Sequence, residues 1–159
     1  MSVANRKGFR AQIASELTTV LVGSGKPAQA LYAGQVADFG GLWPTVVVSS
    51  AGSERPNDAS YRGQQTGLLF DIDVFVKYSN AANSWDELDS EDALDDIEQI
   101  IAEWVLANGS RTPAAGSAIA WTNLTYTGRT DAELPPAFIG GEEYRHERIG
   151  LRVDIQGAI

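Results

Sequence analysis

The chain has 159 residues, 43% of them hydrophobic, a length and composition typical of one globular domain with a single core. It contains no run of about 18 apolar residues, so no membrane span is predicted. The N-terminal residues lack the apolar segment and cleavage site of a secretory signal. Cysteine is absent, which excludes disulfides, cysteine-ligated metals and a thiol nucleophile.

The charge of the chain is acidic and unevenly distributed. The formal net charge of −9 argues against a general nucleic-acid-binding protein, because phosphate binding depends on cationic side chains. Residues 1–80 carry 7 Lys or Arg and 6 Asp or Glu, whereas residues 81–159 carry 5 and 15. The two parts therefore have net charges of +1 and −10, and eight of the acidic residues fall within residues 86–98.

A first helix is predicted over about residues 5–21, because apolar residues recur there with the helical period. The residues of this stripe are Phe9, Ile13, Leu17, Val20 and Leu21. A segment containing glycine and proline, residues 23–27, ends the helix. Its first turns carry Arg6, Lys7 and Arg10, although the helix dipole favours acidic residues there. A solvated helix face is the favoured interpretation of this basic cluster; the alternative is a surface for docking a partner.

The remaining elements follow from periodicity and turn signals. Residues 45–49 predict a short strand, and alternation over residues 68–78 predicts a long strand with one apolar and one partly polar face. The polar residues 53–67 between them predict a long loop. A second helix begins between Ser84 and Ser90 and ends near residue 107. Its buried stripe comprises Leu94, Ile97, Ile101, Trp104 and Val105. Two further strands are predicted over residues 118–127 and 142–155.

These elements predict a single α+β domain over residues 1–159, with the order α-β-β-α-β-β. About four strands form a mainly antiparallel sheet, since one face of the long strand is apolar and the other partly polar. The two helices carry one apolar stripe each, so both are expected to pack on one face of this sheet.

Short motifs that resemble catalytic or metal-binding signatures lack the spacing that the chemistry requires. The sequence GSGK at residues 23–26 lacks the other residues of a phosphate-binding loop, and DFG at residues 38–40 lacks the rest of a kinase signature. Asp71 and Asp73 share one strand face and could hold a divalent cation, but a solvent-facing or interface-facing strand surface is the favoured interpretation. His146, the single histidine, is interpreted as structural. We therefore predict no catalysis, no cofactor and no metal.

The acidic residues 86–98 lack the glycine and the alternating spacing of a calcium loop. Acids in the first turns of a helix are stabilising, but eight exceed what capping requires. Asp92, Asp95 and Asp96 lie at i, i+3 and i+4 and repel one another by tenths of a kcal/mol per pair. The favoured interpretation is a solvated helix face. The alternative, which would account for this repulsion, is a face that meets a cationic partner, or one that faces a polyanion which must not bind.

The layout of the chain resembles that of a known protein family. An amphipathic first helix is followed by VADFGGLWPTVVV at residues 36–48, a polar loop, the long strand at 68–78, a second helix and the final strand at 142–155. This order and hydrophobic texture, over nearly the whole length, resemble the tail terminator proteins of long-tailed bacteriophages, also called minor tail or tail completion proteins.

The resemblance implies a structural virion protein rather than an enzyme. Such a protein forms a homo-hexameric ring that caps the tail tube, ends its polymerisation and offers an interface to the head–tail connector, with genomic DNA passing through the ring. It would lie at the head-proximal end of the virion tail after assembly in the host cytoplasm, without contact with a membrane. An acidic lumen suits DNA transit, because a cationic one would retain phosphates. The alternatives are another neck component, such as a head–tail adaptor, or a small ligand-binding or enzymatic α+β domain.

A closed ring requires two different complementary surfaces on each subunit. Arg55 and Arg62, in the polar loop, are one candidate surface. The helix residues Asp92, Asp95 and Asp96 are the other, since a cationic neighbour would relieve their repulsion. We therefore expect the loop of one subunit to contact the acidic helix of the next.

Overall fold

The computed structural model of the chain describes residues 5–54, 65–110, 119–130 and 134–156. The helices are α1 (Arg6–Leu21) and α2 (Glu87–Ala107), and a short 3-10 turn, Ala81–Asn83, precedes α2. The strands are β1 (Ala30–Tyr32), β2 (Thr45–Glu54), β3 (Gln65–Val76), β4 (Asn123–Thr130), β5 (Ala137–Ile139) and β6 (Glu142–Gln156). Within the described residues, neither helix is both long and apolar enough to cross a membrane.

The strands form one mainly antiparallel sheet in the order β1-β2-β3-β6-β4, with β5 paired to the start of β6. Only β1 and β2 pair in parallel among the described strands. The long central pair, β3 and β6, runs in register from Gln65 opposite Gln156 to Val76 opposite Arg145. Both helices pack on the same face, α1 over β1 and β2, and α2 over β3, β4 and β6. The predicted α+β class and helix placement are confirmed.

The strand count and several boundaries differ from the sequence-based expectation. The described chain has six strands rather than about four, because β1 and β5 have only three residues each and cannot show an alternating pattern. The β4 strand begins at Asn123, not at residue 118. Both ends of the predicted loop 53–67 belong to strands, since β2 continues to Glu54 and β3 starts at Gln65, and residues 55–64 lie outside the described part of the chain. Cross-strand pairing extends both strands into polar sequence that periodicity alone assigns to a loop.

Local sequence fixes where each helix begins. The Asn5 side chain caps α1 by accepting a hydrogen bond from the backbone N–H of Lys7 at 3.0 Å. A capping box between Asp86 and Asp89 starts α2. Both are the expected use of short polar side chains at a helix N-terminus, where backbone N–H groups lack partners.

The main core lies between the two helices and the sheet. Every residue predicted for the helix side of the core is buried: Phe9, Ile13, Leu17, Leu94, Ile97, Ile101 and Trp104. They pack against the inward side chains of β2, β3 and β6, among them Val48, Phe70, Ile72, Leu151 and Val153. The assigned phases of both helices are therefore confirmed.

A second apolar cluster covers part of the opposite sheet face. It contains Phe39, Val47, Phe75 and Tyr144, with Phe39 about equally close to the rings of Phe75 and Tyr144 at 5.1 and 5.2 Å between centroids. The loop after β1 and the β5–β6 hairpin deliver Phe39 and Tyr144 to this face. This face is therefore less open than the expected solvent-facing or interface-facing surface.

Candidate functional site

Several acidic residues of α2 and its N-terminal cap make contacts within the chain. The side chains of Asp86 and Asp89 each accept a hydrogen bond from the other residue's backbone N–H at 2.9 Å. Glu91 forms an ion pair with Arg145 of β6, with 2.5 Å between Oε1 and Nη2. Glu98 accepts a hydrogen bond at 3.0 Å from the hydroxyl of a β4 tyrosine. These contacts stabilise α2 and its packing, and so explain part of the acidic run.

Asp92, Asp95 and Asp96 are all exposed, but they do not share one surface. Since successive helical residues are rotated by about 100°, Asp92 and Asp95 lie on the side of α2 opposite the fully buried Ile97. Asp96 lies on a flank instead, in a depression whose other wall contains Lys26. Asp92 and Asp95 thus form the outermost acidic surface of the helix, which we call the acidic crest.

The predicted basic cluster lies in the first turns of α1. Arg6 and Lys7 are exposed. Arg10 is half-buried and donates a hydrogen bond from Nη1 to Ser50 Oγ of β2 at 3.1 Å. The Arg10 side chain is therefore directed toward β2, and the exposed cations of this cluster are Arg6 and Lys7.

The other two predicted interface residues cannot be placed on the fold. Arg55 and Arg62 belong to residues 55–64, which lie outside the described part of the chain. Their contact with Asp92, Asp95 and Asp96 of a neighbouring subunit stays a prediction.

The sheet face opposite the helices carries a buried carboxylate that the sequence did not indicate. Asp73 of β3 is 1% exposed. Arg148 of β6 donates a hydrogen bond from Nε to Asp73 Oδ1 at 2.8 Å, and His146 Nε2 lies 3.2 Å from the same oxygen. The His146 ring stacks on Phe75 at 4.9 Å between centroids. The expectation that Asp71 and Asp73 both lie on an open surface is wrong for Asp73, because aromatic packing closes this part of the face.

The two neighbouring carboxyl groups of β3 have pKa values shifted in opposite directions. Burial alone would raise the pKa of Asp73, but hydrogen bonds from His146 and Arg148 outweigh this and hold the pKa below its usual value. Burial raises the pKa of Asp71, against the attraction of Arg148 and with a smaller contribution from the charge of Asp73. The ionised form of Asp73 therefore stabilises the fold, whereas that of Asp71 is disfavoured.

A second ion-pair group lies further along β6. Arg152 donates from Nε to Asp154 Oδ1 at 2.8 Å and from Nη1 to Glu54 Oε2 at 2.6 Å. Its guanidinium lies over Gly67 of β3, where an added Cβ would approach Cζ to 2.7 Å. Glycine at this position is what allows Arg152 to cross β3 and reach Glu54 on β2.

An open cleft lies beside the second apolar cluster. Its walls include Trp43, Tyr144, Lys77, Asp38 and Glu142. Lys77 lies over the Tyr144 ring, 4.5 Å from its centroid, and pairs with Glu142 at 2.5 Å. The cleft is thus lined by aromatic rings and by the ion pair between Lys77 and Glu142. The charge of Lys77 is therefore already neutralised within the chain.

No group of three histidine or carboxylate side chains is placed to hold a metal in the described part of the chain. Sequence reasoning missed the buried pairing of Asp73 with His146 and Arg148. The sequence carried one relevant signal, namely that apolar and polar residues alternate in both β3 and β6. If these two strands pair, residues of opposite charge can lie across from each other.

Comparison of the sequence with known proteins finds neither a matching family model nor a matching curated protein.

Proposed function

We propose that the protein is a structural virion protein of the tail terminator kind. In this function it forms a hexameric ring on the head-proximal end of a phage tail tube, ends tube polymerisation and presents a surface to the head–tail connector. Genomic DNA passes through the ring. The protein acts by assembly and performs no catalysis.

One observation carries this proposal: the subunit has separate surfaces of opposite charge on its two helices. The basic cluster (Arg6, Lys7 and Arg10) lies on α1 and the acidic crest (Asp92 and Asp95) lies on α2. A ring is built from head-to-tail contacts, in which each subunit uses two different surfaces. The net charge of −9 also suits a channel for DNA, since an acidic wall does not retain phosphates.

The proposal is tested by adding the protein to tail tubes that are polymerising in vitro. We expect tubes to stop at a uniform length and to show six-fold density at one end in electron microscopy. Tubes without the protein should continue to grow. Because capping requires a folded ring, heat-unfolded protein should leave tube growth unchanged.

The alternatives give different results in the same experiment. Five-fold or twelve-fold density at the tube end contradicts a terminator ring. Binding to purified head–tail connectors but not to tubes supports a neck adaptor instead. No binding to either assembly would remove the structural proposal altogether.

A further inference from the structure

We propose that copies of this protein associate through residues 135–138 (Pro-Pro-Ala-Phe) of one copy, which bind an aromatic groove on a second copy. The aromatic groove is the open cleft beside the second apolar cluster together with the depression that adjoins it. This inference depends on the proposed function in one respect, namely that copies associate. It uses neither the basic cluster nor the acidic crest.

The aromatic groove consists of two adjoining cavities that share Trp43 and Asn83. The open cleft has a volume of about 470 Å³. The adjoining depression has a volume of about 360 Å³ and is also lined by Pro27, Pro44 and Trp85. The rings of Trp43 and Trp85 pack edge-to-face, with 4.8 Å between their centroids. Aromatic side chains in an open groove are typical of sites that bind proline-containing segments in the polyproline II conformation.

The groove offers neutral hydrogen-bond donors beside these rings. Trp85 is held in place by the chain itself, since its Nε1–H donates to the carbonyl oxygen of Lys77 at 2.9 Å. The indole N–H of Trp43 and the side-chain amides of Asn80 and Asn83 have no hydrogen-bond partner among the described residues. Such N–H groups can donate to the backbone carbonyl oxygens of a bound segment.

The charged side chains that line the groove balance one another. They are Lys26 and Lys77 on one side and Asp38 and Glu142 on the other. Lys77 and Glu142 also form an ion pair at 2.5 Å. The groove lining therefore has no net charge, and an uncharged occupant loses less hydration on entering it than a charged one.

Residues 134–141 of the same chain match this groove, because they contain no charged side chain. Pro135 and Pro136 are exposed and precede β5. Phe138 is 71% exposed, since the alternation of β5 turns it away from the second apolar cluster. Each proline fixes its own φ near −65°, so little conformational entropy is lost when such a segment binds.

The segment does not occupy the groove of its own copy. Gly140, at the turn after β5, lines the open cleft, but neither proline nor Phe138 lines either cavity. The pairing of β5 with β6 holds the segment in this position. The segment therefore reaches a groove only on a second copy. Because the groove and the segment are different surfaces, each copy offers both halves of the contact.

A peptide of residues 131–139, blocked at both ends, tests this contact on the intact protein. In proton–nitrogen correlation NMR spectra, the peptide should shift the indole N–H signal of Trp43 progressively until binding saturates. The indole signals of Trp104 and Trp121, which lie in the main core, should not move. The variant Trp43→Phe lacks the reporting signal and so assigns it.

The matched control is the same peptide with Pro135, Pro136 and Phe138 each replaced by alanine. It should leave the Trp43 signal in place at the same concentrations. Equal shifts from the two peptides, or no shift from the parent peptide at millimolar concentration, would overturn the proposal. A shift caused by the neutral sugar maltohexaose, with none from the parent peptide, would also overturn it and assign the groove to saccharides.

Two variants that each lose one half of the contact test it in the intact chain. Trp43→Phe with Asn83→Ala removes two donors from the groove and keeps a ring at position 43. Pro135→Ala, Pro136→Ala and Phe138→Ala together remove the segment. In sedimentation velocity, each variant should need an about ten-fold higher concentration than the parent to associate. Their equimolar mixture should give dimers at the parent's concentration, because one variant keeps the segment and the other keeps the groove.

Leu106→Ala is the control for the loss of an exposed apolar side chain, since Leu106 is 86% exposed and lines neither cavity. It should associate as the parent does. A parent chain that stays monomeric at millimolar concentration would overturn the proposal. So would a mixture of the two variants that associates no better than either variant alone, when the thermal midpoints of both are near that of the parent.

The outcome can be distinguished from that of the proposed function. A protein that binds the peptide and associates through the groove but does not cap tail tubes supports the contact and rejects the terminator function. A protein that caps tubes but does not bind the peptide keeps the function and rejects this contact.

Discussion

Replacing Trp104 by alanine should lower the free energy of unfolding by about 3–5 kcal/mol, the usual loss for a buried aromatic residue in a core. The Trp104 side chain is 7% exposed and packs edge-to-face on Trp121, with 6.5 Å between ring centroids. Trp121 in turn lies 6.4 Å from the ring of Phe9 on α1. The substitution therefore opens a cavity where both helices meet the sheet. Urea denaturation followed by circular dichroism measures the loss.

The same helix offers a matched control. Leu106 is apolar, lies two residues further along α2 and is 86% exposed. Its replacement by alanine should change the stability by no more than about 0.5 kcal/mol, as is usual for surface positions. Equal losses for the two variants would mean that the buried side of α2 has been assigned to the wrong residues.

The buried sides of the helices were predictable because the spacing of apolar residues in an amphipathic helix identifies the side that faces the core. Ile97, Ile101 and Trp104 repeat at three- and four-residue intervals, and only one side of a helix can hold such a stripe. The same reasoning places Asp92 and Asp95 opposite that stripe, so their exposure followed from the sequence. Periodicity cannot identify the neighbouring element, and for this reason the position of Asp96 across a depression from Lys26 was not foreseen.

The covering of the sheet face opposite the helices could not be predicted from the sequence. Alternation in β3 correctly separates Asp73 and Phe75 from the main core, but it cannot show whether another segment covers them. Phe75 is covered by Phe39 and Tyr144, which lie 105 positions apart in the chain and meet only after β6 pairs with β3. Asp73 is contacted by His146 and Arg148, which the same pairing brings across from β6. The irregular sequence around Phe39 contains no period that would reveal this packing. The burial of Asp73 is therefore a tertiary effect.

The placement of the charged surfaces could be predicted from the sequence only in part. Composition alone gives net charges of +1 for residues 1–80 and −10 for residues 81–159. The phase of each helix then predicts which of its charged side chains are exposed. Only the sheet order places the basic cluster and the acidic crest toward opposite edges of one subunit. As a result, surfaces of opposite charge lie on different sides of one subunit. A head-to-tail contact between subunits requires two such different surfaces.

Replacing Asp73 by asparagine should cost about 2–3 kcal/mol of stability at neutral pH. The variant keeps the shape of the side chain but removes the buried negative charge that pairs with His146 and Arg148. Breaking a buried ion pair usually costs more, but the Arg148 side chain is 45% exposed and can regain water. Asp71→Asn is the matched control on the same strand. It should be neutral or slightly stabilising, because burial disfavours the ionised form of Asp71.

The pH dependence of stability should separate these two carboxyl groups. The pKa of Asp73 is lower in the folded protein than its ordinary value of 3.8, so its stabilisation is complete above that value and is lost as the pH falls through the lower folded pKa. Asp71 has the opposite sign: its raised pKa means that its ionised form costs stability above pH ~4, and this cost disappears on acidification. Below pH ~4, Asp73→Asn should therefore lose stability less steeply than the parent. Just above pH ~4, where the folded protein protonates Asp71 before the unfolded chain does, Asp71→Asn should lack the stability that the parent gains on acidification. Urea titrations at a series of pH values measure these slopes, and parallel curves for all three proteins would show that neither carboxyl group is linked to folding.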